Sequence, residues 1–203
     1  MKIFLTLAVA FTLVISALVP LHQVSADEKK MSDAEKEMMA KWHEYSTPGD
    51  AHKVLDHFVG DWDYTVKWWN TPGTEPAVST GENEVKWIMG GRFLEADVDG
   101  TSMGQKFEGL GIMGYDNVKK VYTNVWIDSM GTGMMTGTGS YDAEKKQLTE
   151  TGSYTDPMTG EDRTYRGVTT IIDNDNHTYE LYTSGADGKE FRQMEITYKR
   201  DDD

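Results

Sequence analysis

The stretch Gly60–Trp68, which reads GDWDYTVKW, decides the fold of this chain. Apolar and polar residues alternate along it, which is typical of a β-strand with one buried face. The apolar face would carry Trp62, Tyr64, Val66 and Trp68. A glycine and a tryptophan at the start of the first strand predict that this strand belongs to a closed barrel.

Short strand-like segments continue to Arg200, separated by turn residues and with no helix-like segment between them. Asp99-Gly100 and Asp187-Gly188 are hairpin dipeptides. Such links join antiparallel neighbours, and closure removes exposed sheet edges. We therefore predict an all-β fold, an antiparallel up-and-down β-barrel of about ten strands with two short N-terminal helices. The strands are expected near residues 61–69, 78–88, 91–98, 105–115, 121–128, 134–141, 147–155, 163–172, 178–184 and 190–200.

Two helices are predicted before the barrel. Ser32 and Glu35 have the spacing of a capping box, which starts a helix that runs to about Tyr45. Pro48 marks a second start, and residues 51–59 would pack against the barrel as a plug or lid at one end. The first helix is amphipathic, with a stripe formed by Ala34, Met38, Trp42 and Tyr45.

The N-terminus is typical of a secretory signal peptide. An apolar run covers residues 3–19, and Val24-Ser25-Ala26 is a small-residue cleavage motif. A membrane anchor is the alternative, but the cleavage motif favours removal. We therefore expect a signal peptide (1–26), a charged leader with the amphipathic helix (27–47) and a lipocalin-like barrel domain (48–203), in a bacterial protein that is exported to the periplasm or secreted. The chain contains no cysteine, so neither a lipid anchor nor a disulfide framework is expected.

The charge of the chain limits its partners. The full sequence carries a net charge of −14, and removal of Lys2 with the signal peptide would leave −15. Such an acidic surface repels phosphate backbones and anionic headgroups. We therefore expect no nucleic-acid partner and no stable membrane association after cleavage. The sequence does not specify an oligomeric state.

Several spaced motifs resemble one bacterial family, catalogued as domain of unknown function 1579. The resemblance covers the chain from about Pro48 to Arg200 and implies a lipocalin-like barrel, but no established activity. Distant barrels of this shape include fatty-acid-binding and haem-binding members. A haem site matches poorly, since we expect His177 in a turn and His52 and His57 in the second helix, and no cofactor is predicted. The motifs are residues 52–62 (HKVLDHFVGDW), 90–94 (GGRFL), 109–116 (GLGIMGYD), 126–129 (WIDS), 156–160 (DPMTG), 166–168 (RGV) and 194–198 (MEITY).

Three charged residues on successive late strands form the main candidate binding site. Arg166, Glu180 and Glu195 stand among apolar neighbours that include Tyr182 and Met194. If these side chains face the lumen, the arginine could hold the polar end of a ligand. The alternative is an ion-pair network that satisfies itself and only stabilises the strand register.

Two further pairs of residues are candidates for a ligand contact or a structural contact. Trp126 and Asp128 share one face of the fifth strand and carry the same ambiguity between ligand contact and structure. Trp62 is expected to close the barrel by stacking against an arginine of the last strand, either Arg200 or Arg192.

Catalytic motifs are missing from the sequence: there is no nucleophile elbow, phosphate loop, paired-histidine helix or cysteine. No metal site is predicted, and methionines such as Met130 and Met134 are interpreted as core or lumen residues rather than copper ligands. We favour a barrel that binds a small, partly apolar molecule in its lumen. The alternatives are an acid/base enzyme, an isomerase or hydrolase using Glu180, Glu195 or Asp128, and a surface or assembly protein with a filled lumen.

The cleavage motif leads to a direct prediction. N-terminal sequencing of the exported protein should begin at Asp27, because Val24 and Ala26 occupy the small-residue positions that the signal peptidase requires. Recovery of protein that still begins with Met1 would instead identify the apolar segment as an anchor.

Overall fold

The computed structural model describes residues 31–185 and 187–201. The predicted signal peptide and the first residues of the leader lie outside these ranges. Helix α1 covers Asp33–Ser46, and α2 covers Asp50–Lys53 and runs directly into a 3-10 turn, Val54–Phe58. The strands are β1 Gly60–Trp68, β2 Ala77–Ile88, β3 Phe93–Ser102, β4 Gln105–Asp116, β5 Val121–Asp128, β6 Met135–Asp142, β7 Gln147–Thr155, β8 Asp162–Ile171, β9 Asn176–Ser184 and β10 Glu190–Arg200.

The ten strands form a closed barrel in which each strand pairs with its neighbours in sequence. The barrel closes where β1 pairs antiparallel with β10. The prediction of an antiparallel up-and-down barrel is therefore confirmed. Closure leaves no strand of the barrel with an unpaired edge, which is the usual solution for a single twisted sheet of this size.

Strand register determines which side chains face the lumen. Trp62 lies opposite Arg200, and Tyr64 lies opposite Tyr198. Because directly paired residues point to the same side of a sheet, the inward set can be followed from strand to strand around the barrel. Trp62 is 1% exposed, so its side of the sheet is the inside.

The helical segment between α1 and β1 closes one end of the barrel. Leu55 is fully buried and belongs to the main hydrophobic cluster together with Trp62, Leu94 and Leu148. The Tyr122 hydroxyl donates a hydrogen bond of 2.8 Å to the carbonyl of Ala51. The plug that the sequence predicted is thus present, and we call this end of the barrel the base.

Trp62 and Arg200 join the two ends of the sheet at the base. The guanidinium of Arg200 lies 4.1 Å from the centre of the Trp62 ring. It also donates hydrogen bonds of 2.8 and 3.0 Å to the carbonyls of Val59 and His57. Gly60 has a φ of 121°, and a Cβ there would come within 2.5 Å of Arg200 Nη1. Glycine is therefore required by both the backbone conformation and the approach of the guanidinium.

Helix α1 stands apart from the core. None of its residues is buried, and the apolar stripe that contains Met38 and Trp42 is exposed. The side-chain amide of Asn117 donates to the carbonyls of Glu44, Tyr45 and Thr47, which holds the C-terminal end of the helix against the β4–β5 turn. Within the described ranges, no helix has the length and apolar character needed to cross a bilayer.

We expect the stability of the protein to depend far more on Trp62, at the base, than on Trp68, near the other end of the barrel. Trp62→Ala is expected to lower the free energy of unfolding by about 3–5 kcal/mol, because it empties a large buried site. Trp68 is on the same face of β1 but is 37% exposed, so Trp68→Ala serves as the matched control with a much smaller loss. Urea denaturation measures both, and equal losses would show that Trp62 is not part of the core.

Candidate functional site

The lumen is the candidate site, because inward side chains above the base keep accessible surface. Tyr179 and Tyr198 point inward from β9 and β10, and burial raises the pKa of both hydroxyls. Both residues are nevertheless only partly buried, and so are Val66 and Ile196, which lie opposite each other on β1 and β10. Inward side chains of a closed barrel can expose this surface only to the lumen. The interior above the plug therefore keeps some accessible surface along these side chains.

A polar cluster lies on one wall of the lumen. Glu150 of β7 points inward and is 6% exposed. Its carboxylate accepts hydrogen bonds from the Asn124 amide and, at 3.1 Å, from the Tyr179 hydroxyl. Tyr165 lies beside this pair on β8, close to Asn124. The side-chain oxygen of Asn124 is buried in this cluster and has no hydrogen-bond partner among the described residues.

Large side chains of the cluster lie directly over glycines of the neighbouring strands. A Cβ on Gly152 would come within 2.4 Å of the Tyr165 ring, and one on Gly167 would come within 2.6 Å of the Glu150 carboxylate. The large side chains therefore lie along the wall, over the glycines of the next strand, instead of filling the lumen. This packing keeps the cluster close to the wall of the barrel.

Burial raises the pKa of the Glu150 carboxyl, and the hydrogen bond from Tyr179 only partly opposes the shift. Burial, followed by the charge of Glu150, also raises the pKa of Tyr165. Folding therefore favours the protonated form of Glu150. Glu150 has its ordinary pKa in the unfolded chain and a raised pKa in the folded protein, so between these two values the unfolded chain binds fewer protons. The contribution of Glu150 to stability therefore falls as the pH rises through that window.

The opposite end of the barrel carries the predicted pair Trp126 and Asp128. Both point inward, and the indole nitrogen donates a hydrogen bond of 2.8 Å to the Asp128 carboxylate. Phe107 stacks on Trp126 with ring centres 6.4 Å apart. Met194 also points inward, opposite Trp68 on the same half of the barrel. No helix among the described residues covers this end.

The main charged candidates, Arg166, Glu180 and Glu195, lie on the outer face of the barrel. The hypothesis that they face the lumen is therefore wrong. Arg166 of β8 lies opposite Tyr182 of β9. Tyr182 directly follows Leu181, whose side chain points inward. Its guanidinium makes two hydrogen bonds, 3.0 and 2.6 Å long, to Glu190. It also lies 4.0 Å from the centre of the Tyr182 ring. Because side chains alternate along a strand, the inward position of Leu181 requires Tyr182 and Arg166 to point outward.

Glu180 and Glu195 meet on the same outer face, but through a different arginine. Arg192 Nη1 lies 2.6 Å from Glu180 and 2.5 Å from Glu195. Lys67 of β1 donates a further hydrogen bond of 2.9 Å to Glu195. These residues form an ion-pair network that satisfies itself on the surface, which was the alternative to a ligand site. Arg192 belongs to this network and does not stack on Trp62.

His177 lies in β9 and not in the turn where it was expected. It is 5% exposed and stacks on Tyr198 at 4.3 Å, with the Trp62 ring 4.4 Å away. Burial, followed by the nearby His57 and Arg200, lowers its pKa to about 3, so the imidazole is neutral. In the part of the chain that the structure describes, no group of three or more His, Cys, Asp or Glu residues could hold a metal ion.

The sequence analysis did not identify the lumenal polar cluster. One signal was available for Glu150, which alternates in phase with the apolar Leu148 and with Gly152 along β7. Its inward position could have been predicted from that phase. The meeting of Glu150 with Asn124 and Tyr179, which come from β5 and β9, depends on the register of several strand pairs.

Comparison with known proteins agrees with this architecture. Rv2717c from M. tuberculosis has a similar structure, with a TM-score of 0.59 and 16% sequence identity over 76% of this chain and 99% of that one. A structure described as EF1p2_mFAP2b bound to DFHBI aligns with a TM-score of 0.40 and 13% identity, over 74% of this chain and 98% of that one. No curated protein matches the chain in sequence. Residues 47–200 match the family described as Protein of unknown function (DUF1579). The chain belongs to the DUF1579 family.

Proposed function

We propose that this protein binds a small, partly apolar molecule in the lumen of its barrel. The observation that carries the proposal is the interior above the plug, where partly buried apolar side chains occur together with the buried polar cluster around Glu150. Binding pockets for small molecules have this composition, mostly apolar walls with a few polar groups that orient the ligand. The plug and Trp62 seal the base, so a ligand would enter from the end that carries Trp126.

The proposed ligand would lie between two unlike walls. Val66, Ile196 and Met194 from β1 and β10 provide apolar surface, while Glu150 and its partners provide hydrogen-bonding groups on the other side. Burial of an apolar body against the first wall supplies most of the affinity, and the polar wall selects the orientation. The outer-face network around Arg166 has no part in this site.

We also propose that binding takes place outside the cytoplasm. The support is the segment 1–26, with its apolar run and cleavage motif, together with the absence of cysteine. An acidic barrel without disulfides relies on its hydrophobic core and plug for stability.

Nile red, a neutral apolar dye, provides a test that does not require the natural ligand. Its fluorescence should rise on binding to the protein. Ile196→Trp should weaken this binding by about tenfold or more, because the larger ring occupies the lumen. Thr197→Trp is the matched control: the neighbouring residue points outward, so dye affinity should not change.

The same assay separates the lumen from the outer-face cluster. Arg166→Met should leave the affinity for Nile red unchanged, because the guanidinium bonds to Glu190 on the outside of the barrel. Equal binding by the Ile196→Trp and Thr197→Trp variants, or a loss confined to Arg166→Met, would contradict a lumenal site.

A second candidate function, acid/base catalysis, is favoured by one observation. Glu150 has a raised pKa and lies beside a tyrosine hydroxyl in an accessible lumen, which is an arrangement that general acids use. Mass spectrometry of molecules recovered from the lumen before and after incubation distinguishes the two functions. A binding protein returns its ligand unchanged, whereas an enzyme returns a product, and Glu150→Gln should abolish that conversion.

A further inference from the structure

The charges that face the lumen restrict the chemistry of the molecule it can hold. Glu150 is the carboxyl group of the polar cluster, and no lysine or arginine among the described residues forms an ion pair with it. The arginine at the base, Arg200, already donates to the carbonyls of His57, Val59 and Asn174. An anionic ligand would therefore meet a carboxyl group and no available cation on this wall.

Hydrogen-bonding groups in the cluster are also unbalanced. The amide of Asn124 and the hydroxyl of Tyr179 both donate to Glu150, while the side-chain oxygen of Asn124 accepts no hydrogen bond from the described residues. A buried acceptor without a donor costs free energy, and a ligand that brings N–H groups would remove that cost.

Aromatic side chains also line the interior. Tyr64 and Tyr198 point inward with ring centres 6.1 Å apart, and Tyr179 lies next to Tyr198 across the β9–β10 pair. The faces of such rings attract organic cations, most strongly where water is excluded. The carboxyl group, the unpaired oxygen of Asn124 and the aromatic side chains all favour the same kind of ligand.

We propose that the lumen selects an organic monocation, a protonated amine carried on a flat apolar group, with the ammonium directed at Glu150. This inference rests on the proposed binding function and specifies the ligand class. The ammonium would donate to the Glu150 carboxylate and to the oxygen of Asn124, and its apolar part would extend past Ile196 towards Trp126.

A matched series of three indoles tests this inference by displacement of Nile red. Tryptamine carries an ammonium, tryptophol carries a hydroxyl on the same two-carbon arm, and indolepropionate carries a carboxylate. Tryptamine should displace the dye at a concentration roughly tenfold below that of tryptophol, as expected for one charge-assisted bond, and indolepropionate should be the weakest. The preference should disappear in Glu150→Gln and persist in Glu180→Gln, whose carboxylate lies on the outer face.

The pH dependence of the unmodified protein provides a test that needs no variant. The titratable groups that face Glu150 are Tyr165 from β8 and Tyr179 from β9, while β5 and β6 present Asn124 and Gly139. Burial raises the pKa of both tyrosines, so they stay neutral where Glu150 titrates. Tryptamine affinity should therefore rise with pH until Glu150 ionises in the free protein, whereas tryptophol affinity should show no such rise.

The outcomes separate the ligand class from the binding function. Equal displacement by tryptamine and tryptophol, a preference for indolepropionate, or a preference for tryptamine that survives Glu150→Gln would overturn the cationic class. The same conclusion follows if Nile red binds in the lumen and none of the indoles displaces it. If Nile red itself does not bind, the proposed function fails and the ligand class fails with it.

Discussion

The contact between Trp62 and Arg200 is the interaction on which the rest of the structure depends. It links the first strand to the last, so it lies at the seam where the sheet becomes a barrel. The same guanidinium bonds to two carbonyls of the plug, and the Trp62 indole donates to the carbonyl of Phe58. One pair of side chains therefore stabilises both the β1–β10 seam and the plug. Gly60 leaves the space that the guanidinium of Arg200 needs to reach this position.

A sealed base has consequences for the opposite end. Because the plug supplies Leu55 and its neighbours to the hydrophobic core, the side chains higher in the barrel are not all needed to fill the interior. Some can be polar, and several are glycines over which the rings of adjacent strands lie flat. The chain thus combines a close-packed core at one end with partly exposed inward side chains at the other.

Carboxylates on the two faces of the barrel behave differently. Glu180 and Glu195 are paired with Arg192 on the outside, where solvent also screens them. Glu150 is buried without a cation, and its pKa rises because the charged form is desolvated. These residues are chemically alike, and only the face of the strand on which each lies separates a surface ion pair from a buried carboxyl group without a cation.

The family and the barrel could be predicted from the sequence because both depend on local signals: alternation in β1, hairpin dipeptides, short links and spaced motifs. The second helix could be predicted as a plug for the same reason, since its start signal and apolar residues are contiguous. The lumenal cluster could not, because Glu150, Asn124 and Tyr179 are brought together by register across several strands. His177 shows the same limit, since a shift of one or two residues at the start of β9 moves it from a turn into the core. The sequence by itself determined a closed antiparallel barrel, whereas only the tertiary structure decided which charged residues face the lumen, because a change of one residue in strand phase reverses the direction of every side chain.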